Sequence, residues 1–328
     1  MAYYLTAKMW NSTSKWRLKG MSLGILGMNK GNLPVAMCNL DCLNWSLNHI
    51  KALCTVERGS YSIEIKDMNT RTLKLTLFSM VVLGLSGCFE DPKLFPCENG
   101  SGEVVTETRT VADFSKLTID IPADIYLHRD TAFGVEIEAQ TSLMEWIDTE
   151  VSGNMLEIRN DRCFRGIKTI RIDVFMPEVD YIEVVGSGDV YGQDAFSGTD
   201  LELDIMGSGS IELAASASDV TLNILGSGDA ILDLVAESLS SRITGSGDLI
   251  SQGELDVHDI VIEGSGAVSS FDLITNETSI LISGSGDAEV YADSLLDVRI
   301  NGSGDVFYKG IPVLDVSVNG SGEVVNRN

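Results

Sequence analysis

The sequence predicts an all-β fold, a single-stranded parallel β-helix (a β-solenoid) with about 18–21 residues per repeat. Two observations carry this prediction. The phrase Gly-Ser-Gly returns eight times from residue 186 onwards, and its successive first glycines are 21, 19, 19, 19, 20, 18 and 18 residues apart. Aliphatic residues also keep fixed places relative to each phrase. A repeat this short cannot bury a core alone, so it has to stack on its neighbours.

The two glycines of each phrase predict a tight turn, because a Cβ at either place would oppose a positive φ or a close backbone approach. Like residues of neighbouring coils should then lie in register, about 4.8 Å apart. The predicted turn glycines are Gly186, Gly188, Gly207, Gly209, Gly226, Gly228, Gly245, Gly247, Gly264, Gly266, Gly284, Gly286, Gly302, Gly304, Gly320 and Gly322.

Each repeat is predicted to contain a half-buried strand before the turn. Two places before the first glycine, every repeat has a β-branched residue, and polar residues alternate with the aliphatic ones. This column is Val184, Ile205, Ile224, Ile243, Ile262, Ile282, Ile300 and Val318. A second strand follows the turn, and a looser return loop closes the coil. A propeller is disfavoured because its blades need about 40–45 residues.

Residues 99–185 precede the regular array (186–328) and are predicted to be an irregular β opening portion of the same solenoid that caps its first coil. They include a ninth copy of the phrase, at residues 100–103. Residues 141–147 predict one helical turn, in which Ser142 and Glu145 are spaced as a capping box.

Residues 68–87 have a basic start and a short apolar run, which is typical of a signal peptide and too short to span a bilayer. The tetrad Leu85-Ser86-Gly87-Cys88 resembles the bacterial lipobox, which implies cleavage and lipid attachment at Cys88. Residues 1–67 are therefore predicted to be a non-native extension without a reliable fold, and residues 88–98 a short tether. Glu90-Asp91 resembles an export signal of surface lipoproteins, so we expect an outer-membrane lipoprotein facing the periplasm or the cell surface.

Cys97 and Cys163 remain in the exported part, and the oxidising compartment favours a disulfide over two free thiols. The chain has 23 basic and 48 acidic residues, for a formal net charge of −25. Such an acidic chain is not expected to bind nucleic acid, which needs clustered Lys and Arg.

Carboxylates follow most of the turns, at Asp189, Asp229, Asp248, Asp287 and Asp305. A stacked ladder of this kind could hold Ca²⁺, but the favoured interpretation is that each Asp caps N–H groups of its own turn. No metal or other cofactor is therefore predicted. His258 is expected to be a strand residue, and no catalytic residue is predicted because no Ser-His-Asp set can be drawn. Aromatic residues after the turns, Tyr191 among them, could stack on sugars or pack against the solenoid.

The opening run of residues 100–109, the Ile/Val strands and the eight turns resemble the head GIN domain family, labelled a putative auto-transporter adhesin, over residues 98–328. The resemblance implies a pectate-lyase-like β-helix and no established catalytic residues. It favours a lipid-anchored, non-catalytic envelope protein that binds a glycan or protein surface. Two alternatives stay open: a structural envelope protein that assembles with itself as a homo-oligomer, and a polysaccharide-active enzyme.

Overall fold

The computed structural model describes residues 97–328 with their side chains and, before them, only the backbone of five strands. These strands are β1 (Met21–Gly24), β2 (Met37–Leu40), β3 (Leu43–Ser46), β4 (His49–Val56) and β5 (Gly59–Lys66). They pair antiparallel as β1 with β2, and β4 with β2, β3 and β5. The predicted signal peptide, the predicted lipidation site Cys88 and the predicted tether as far as residue 96 lie outside the described residues. That residues 1–67 are a non-native extension stays a prediction.

Most of residues 97–328 lie in strands, and the helix content is very small. The opening portion contains β6 (Glu98–Asn99), β7 (Val104–Arg109), β8 (Lys116–Asp120), β9 (Asp124–Arg129), β10 (Gly134–Gln140), α1 (Thr141–Met144), β11 (Ile147–Ser152), β12 (Met155–Asn160), β13 (Phe164–Arg165), β14 (Arg171–Met176) and β15 (Tyr181–Gly186). The repeats contain β16 (Asp189–Gly192), β17 (Phe196–Ser197), β18 (Asp200–Gly207), β19 (Ser210–Gly226), β20 (Asp229–Gly245), β21 (Leu249–Gly264), β22 (Val268–Gly284), β23 (Ala288–Tyr291), β24 (Leu295–Gly302), β25 (Val306–Lys309), β26 (Val313–Gly320) and β27 (Val324–Asn326).

The repeats form a parallel β-solenoid, which confirms the predicted fold class. β18, β19, β20, β21, β22, β24 and β26 pair parallel in this order, and the first glycine of each turn lies opposite the first glycine of the next. The side chains stack in the same register, so that Ile205 lies opposite Ile224 and Ile224 opposite Ile243. Chemically matched residues therefore form continuous columns along the solenoid.

The aliphatic columns form the core. The β-branched column before the turn is buried from Val184 to Ile300, each residue at most 1% exposed. Val318, its last member, is 41% exposed because no described strand covers the last coil. Burial of these side chains contributes about 1.5–3 kcal/mol each.

The return side of the coil is more regular than the sequence analysis predicts. In the four central repeats the chain runs as one strand of 16 or 17 residues from one turn to the next, β19 to β22. The predicted loop is wrong there, because neighbouring coils of nearly equal length let the return residues join the backbone ladder. In the outer repeats, residues 293–294 and 310–312 do leave the strands.

The opening portion does not follow chain order along the solenoid. The coil formed by β8 and β9 lies between two others: β12 and β14 on one side, and β15 and β16 on the other. Antiparallel strands then close that end, since β11 pairs with β12, β10 with β14, and β7 with β10. The reversal of strand direction ends the parallel stack and protects its backbone groups.

One local prediction in this portion is wrong, namely the capping box. The helical turn exists as α1, but its N-cap is Gln140, which makes no side-chain cap hydrogen bond. Ser142 lies inside the helix, and its hydroxyl bonds instead to backbone groups of Asn99 and Ser101. The ninth Gly-Ser-Gly phrase therefore contacts this helix rather than the column of turns. In the β8–β9 coil, Ile121-Pro122-Ala123 occupies the place of the turn, against Gly188.

The two glycines of a turn are required for different reasons. Gly226 has φ +135°, and a Cβ there would also lie 2.2 Å from the carbonyl oxygen of Gly207. Gly228 needs no left-handed backbone, but its Cβ would lie 2.2 Å from the Gly209 oxygen and 2.5 Å from Cγ2 of Ile205. Between them the Ser227 N–H donates to the carbonyl of Gly207 at 2.8 Å. The coils approach so closely here that only hydrogen atoms fit between them.

We expect Gly228→Ala to lower the free energy of unfolding by about 3 kcal/mol, because its Cβ would have to displace both a backbone carbonyl and a core isoleucine. The matched control is Ser227→Ala, whose side chain is exposed and which should change stability by less than about 0.5 kcal/mol. Urea-induced unfolding of both variants measures the difference. Equal stabilities would show that the coils can separate at the turns without loss.

Candidate functional site

A platform of outward-facing aromatic rings lies on three adjacent parallel strands, β14, β9 and β16. Tyr126 and Tyr191 stack with their ring centroids 5.3 Å apart. His128 and Phe175 stack at 4.9 Å with nearly parallel rings, 18° apart. Parallel pairing places these residues side by side, because Tyr126 lies opposite Tyr191 and His128 opposite Phe175 in the ladder. We call these four residues the aromatic platform.

Arg171 and Asp173 of β14 hold the platform together. The Arg171 guanidinium lies 3.9 Å from the centroid of the Tyr126 ring and donates two hydrogen bonds to Asp173, at 2.7 and 2.6 Å. Nε2 of His128 lies 2.7 Å from the same carboxylate. The hydrogen bond from Arg171 and then that from His128 hold the pKa of Asp173 below its usual range. These fixed rings and charges form a flat, half-buried surface whose ring faces could stack on an apolar ligand face.

Two further ionisable groups at the platform have shifted pKa values. Burial and then the charge of Asp189 raise the pKa of Asp124. Burial and then Asp189 also raise the pKa of Tyr191, so its hydroxyl remains a hydrogen-bond donor at neutral pH. The rim of the platform therefore offers both donors and acceptors beside apolar ring faces.

The position of Tyr191 after a turn marks it as a candidate in the sequence, but its neighbours in the platform have no such mark. The opening portion contains no regular repeat, so no sequence register predicts that β14 and β9 lie beside β16. One signal was present: Tyr126 and His128 alternate with buried residues of β9, which indicates that both point outward. Two other aromatic residues that follow turns, Phe196 and Tyr308, are buried and belong to the core.

The carboxylates after the turns accept backbone hydrogen bonds, but from the next coil rather than from their own turn as predicted. Asp248 does not cap its own turn: its Oδ1 accepts the N–H of Ala267, one coil further on, at 2.8 Å. Asp189, Asp229, Asp287 and Asp305 do the same for the next coil, at 2.7–2.9 Å. Ser210 and Ala267 interrupt the column. In residues 97–328 no group of three or more His, Cys, Asp or Glu residues has the geometry of a metal site. The Ca²⁺ ladder stays an untested alternative.

A groove of about 630 Å³ lies near the start of the solenoid and is strongly acidic. Glu178, Asp180, Asp200, Glu202 and Asp219 line it, together with Lys116 and Tyr181. The Tyr181 hydroxyl donates to Asp204 at 3.0 Å, and burial followed by this bond raises the pKa of Tyr181. No histidine lines the groove, and it is widely open to solvent, so it offers no enclosed place for a reaction.

His258 lies inside the solenoid, as expected for a strand residue, and is 1% exposed. Its Nε2 lies 3.1 Å from the hydroxyl of Ser241, the one polar residue in an otherwise aliphatic column. Burial lowers the pKa of His258 to about 3. The ring is therefore neutral at physiological pH, and it has no access to a substrate.

The structure joins Cys97 and Cys163 by a disulfide, with their Cα atoms 4.6 Å apart. The bond fastens Cys97, just before β6, to the segment before β13, which pairs with β6. It therefore secures the capped end of the solenoid. Among the residues described, no helix is long and apolar enough to cross a membrane.

Comparisons with known proteins agree on the fold. A family model described as "putative auto-transporter adhesin, head GIN domain" matches residues 113–312. A crystal structure described as a putative lipid binding protein from Parabacteroides distasonis is 26% identical, covers 70% of this chain and 99% of its own, and has a TM-score of 0.66. Two described as putative adhesins, from P. distasonis and P. merdae, are 22% and 20% identical, cover 70% of this chain and 99% and 98% of their own, and both have a TM-score of 0.67. The chain matches no curated protein.

We expect stability to fall on acidification because of His258. Its folded pKa of about 3 lies below the ordinary value of 6.5, so only the unfolded chain takes up this proton as the pH falls from about 6.5 towards 3. The loss should approach about 1.4 kcal/mol per pH unit in that window. Urea unfolding at pH 7, 6 and 5 measures it.

The matched comparison uses His258→Leu, since leucine occupies the equivalent place in neighbouring coils, as at Leu239. This variant should lose that part of the pH dependence, whereas His128→Ala, at a partly exposed ring, should keep it. Equal pH dependence in the native protein and His258→Leu would contradict the assignment.

Proposed function

The chain belongs to the family described as "putative auto-transporter adhesin, head GIN domain", and from this premise we propose that it is an exported adhesin that binds surface glycans without cleaving them. The solenoid acts as a rigid head. The aromatic platform is the ligand site, and lipid attached at Cys88 fastens the head to the outer membrane. Membership of an adhesin family favours an exported or cell-surface location. The lipid anchor and the glycan ligand go beyond what the family membership shows.

The observation that carries the proposal is the aromatic platform itself. Its stacked rings present flat apolar faces, which suit the C–H faces of sugar rings, and aromatic side chains with a polar edge are favoured at such contacts. Asp173, Asp124 and the Tyr191 hydroxyl stand beside the rings to bond sugar hydroxyls. The Arg171–Asp173 pair fixes the geometry before binding, which reduces the entropy lost on association.

The acidic charge of the chain limits the ligand class. Residues 88–328 contain 13 basic and 44 acidic residues. An anionic polysaccharide would be repelled by this surface at low ionic strength. Neutral glycans therefore fit the platform better than sulfated or uronic acid chains.

Enzymatic cleavage of polysaccharides is not favoured. Paired catalytic carboxylates stand about 5–9 Å apart across a bound sugar in a groove. The carboxylates after the turns accept backbone hydrogen bonds from the next coil, and those of the open groove face solvent. The family and the two adhesin structures are described as adhesins, not as enzymes.

We expect the full chain to bind neutral glycans on an array and the double variant Tyr126→Ala/Tyr191→Ala to bind its best glycan at least about tenfold more weakly. The loss follows from removal of the stacked pair. Isothermal titration with that glycan measures the dissociation constants.

The matched control for this variant is Phe307→Ala. Phe307 is an outward aromatic residue of the same column as Tyr191, several coils away, and should not affect binding. Unchanged affinity in the double variant would show that the glycan binds elsewhere on the solenoid and not at the platform. Turnover of the glycan would contradict a non-catalytic role.

For the anchor, we expect the mature protein to begin at Cys88 and to carry the mass of attached acyl chains. Globomycin, which inhibits the lipoprotein signal peptidase, should leave the signal peptide in place, and Cys88→Ser should prevent lipid attachment. Mass analysis of the N-terminal peptide decides both points. A mature N-terminus elsewhere, or one without lipid, would exclude the lipoprotein assignment while leaving the ligand site untouched.

A further inference from the structure

The last coil of the solenoid has an uncovered edge. β26 pairs with β24, and no other strand of the described chain pairs with its far side. Leu314, Val316 and Val318 are 44%, 42% and 41% exposed, although their equivalents in earlier coils lie in the core. The apolar interior is therefore open to solvent at this end.

The backbone of β26 is open at the same edge. The N–H of Val313 donates to Ser294, and that of Ser321 to Gly302, so these residues point their amide groups towards the preceding coil. Successive residues of a strand point these groups in opposite directions. The N–H and C=O groups of Leu314, Val316 and Val318 therefore face the uncovered edge. If another molecule covered this edge, these backbone groups would need hydrogen-bond partners on it.

This edge lacks the features that normally prevent association between strands, such as lysines or bulges. β7, the outermost strand at the capped end, carries Glu107 and Arg109, whereas β26 carries one charge, Asp315. The sides of the solenoid are acidic and would repel another copy. The end is the part of the described surface on which an apolar interior, free amide groups and low charge coincide.

We propose that β26 is a dimerisation surface, at which two copies of the chain join tail to tail. The two β26 strands pair antiparallel about a two-fold axis through Val316. A head-to-tail stack could not continue the parallel ladder, because antiparallel strands close the other end. This assembly is independent of the glycan site proposed above, which lies near the capped end.

The residue pattern selects this register. With Val316 on the axis, Leu314 faces Val318 of the partner subunit, and three outward-facing amide pairs form six backbone hydrogen bonds. Asp315 then faces Ser317 of the partner subunit. A shift by one pair in one direction places Asp315 against its own copy, and a shift in the other places Leu314 against a glycine. Of these three registers, only the chosen one places every inward apolar side chain of β26 against another and opposes no like charges.

The test is sedimentation equilibrium of the full chain over a range of concentrations. We expect a dimer for the native chain and at least a 100-fold larger dissociation constant for Val316→Lys, which places two lysines together on the axis. Val235→Lys is the matched control, because Val235 is also exposed, at 60%, but on the side of the solenoid; it should stay dimeric. A monomeric native chain, or a Val316→Lys chain that remains dimeric, overturns the proposal.

A second measurement does not depend on the fold of a lysine variant. In the proposed register residues 315 and 317 of the two subunits form a non-hydrogen-bonded pair, with Cα atoms about 4.5 Å apart, which suits a disulfide. A mixture of Asp315→Cys and Ser317→Cys chains should cross-link on oxidation, located by mass spectrometry of the joined peptides, with the native chain as baseline. The proposal is overturned if the mixture gives no link between Asp315→Cys and Ser317→Cys chains. It is also overturned if either variant alone forms disulfide-linked dimers in equal yield.

Discussion

The close contact of successive coils at the Gly-Ser-Gly turns is the constraint on which the rest of the structure depends. At Gly228 the chain passes so near to Gly209 that a methyl group has no room. This contact fixes the register, since a slip by one residue would place a side chain where only hydrogen fits and would turn the aliphatic columns outward. The regularity of the core therefore follows from the backbone contact at one corner of the coil.

Exact register also makes side chains act across coils. The carboxylate of Asp248 bonds the N–H of the next coil rather than of its own turn, and Ser241 meets His258 of the next coil within the core. In both cases the hydrogen-bond partner lies on the adjacent coil rather than nearby in the sequence. The same stacking brings Tyr126 beside Tyr191, 65 residues later, and builds the aromatic platform. The solenoid and the proposed ligand site therefore both depend on the stacking of coils.

The two ends of the solenoid differ in whether other strands cover them. At the beginning, β10 and β11 run antiparallel to the stack, and the Cys97–Cys163 disulfide secures the segment that surrounds them. At the far end β26 leaves its amide groups and the interior open. In our proposals this asymmetry separates two roles, with glycan binding at the platform near the closed end and dimerisation at the open end.

The sequence by itself determined the solenoid, its period and its core, because Val184 to Ile300 and the glycine pairs recur at fixed spacing and each repeat must solve the same packing problem. It also indicated which cysteines could meet. Only the tertiary structure decided the order of the opening coils, the place of Ser142 and the partner of each turn carboxylate. Those features depend on contacts between segments without a common repeat, such as β8 between β12 and β15, and local patterns contain no information on which distant strand becomes the neighbour.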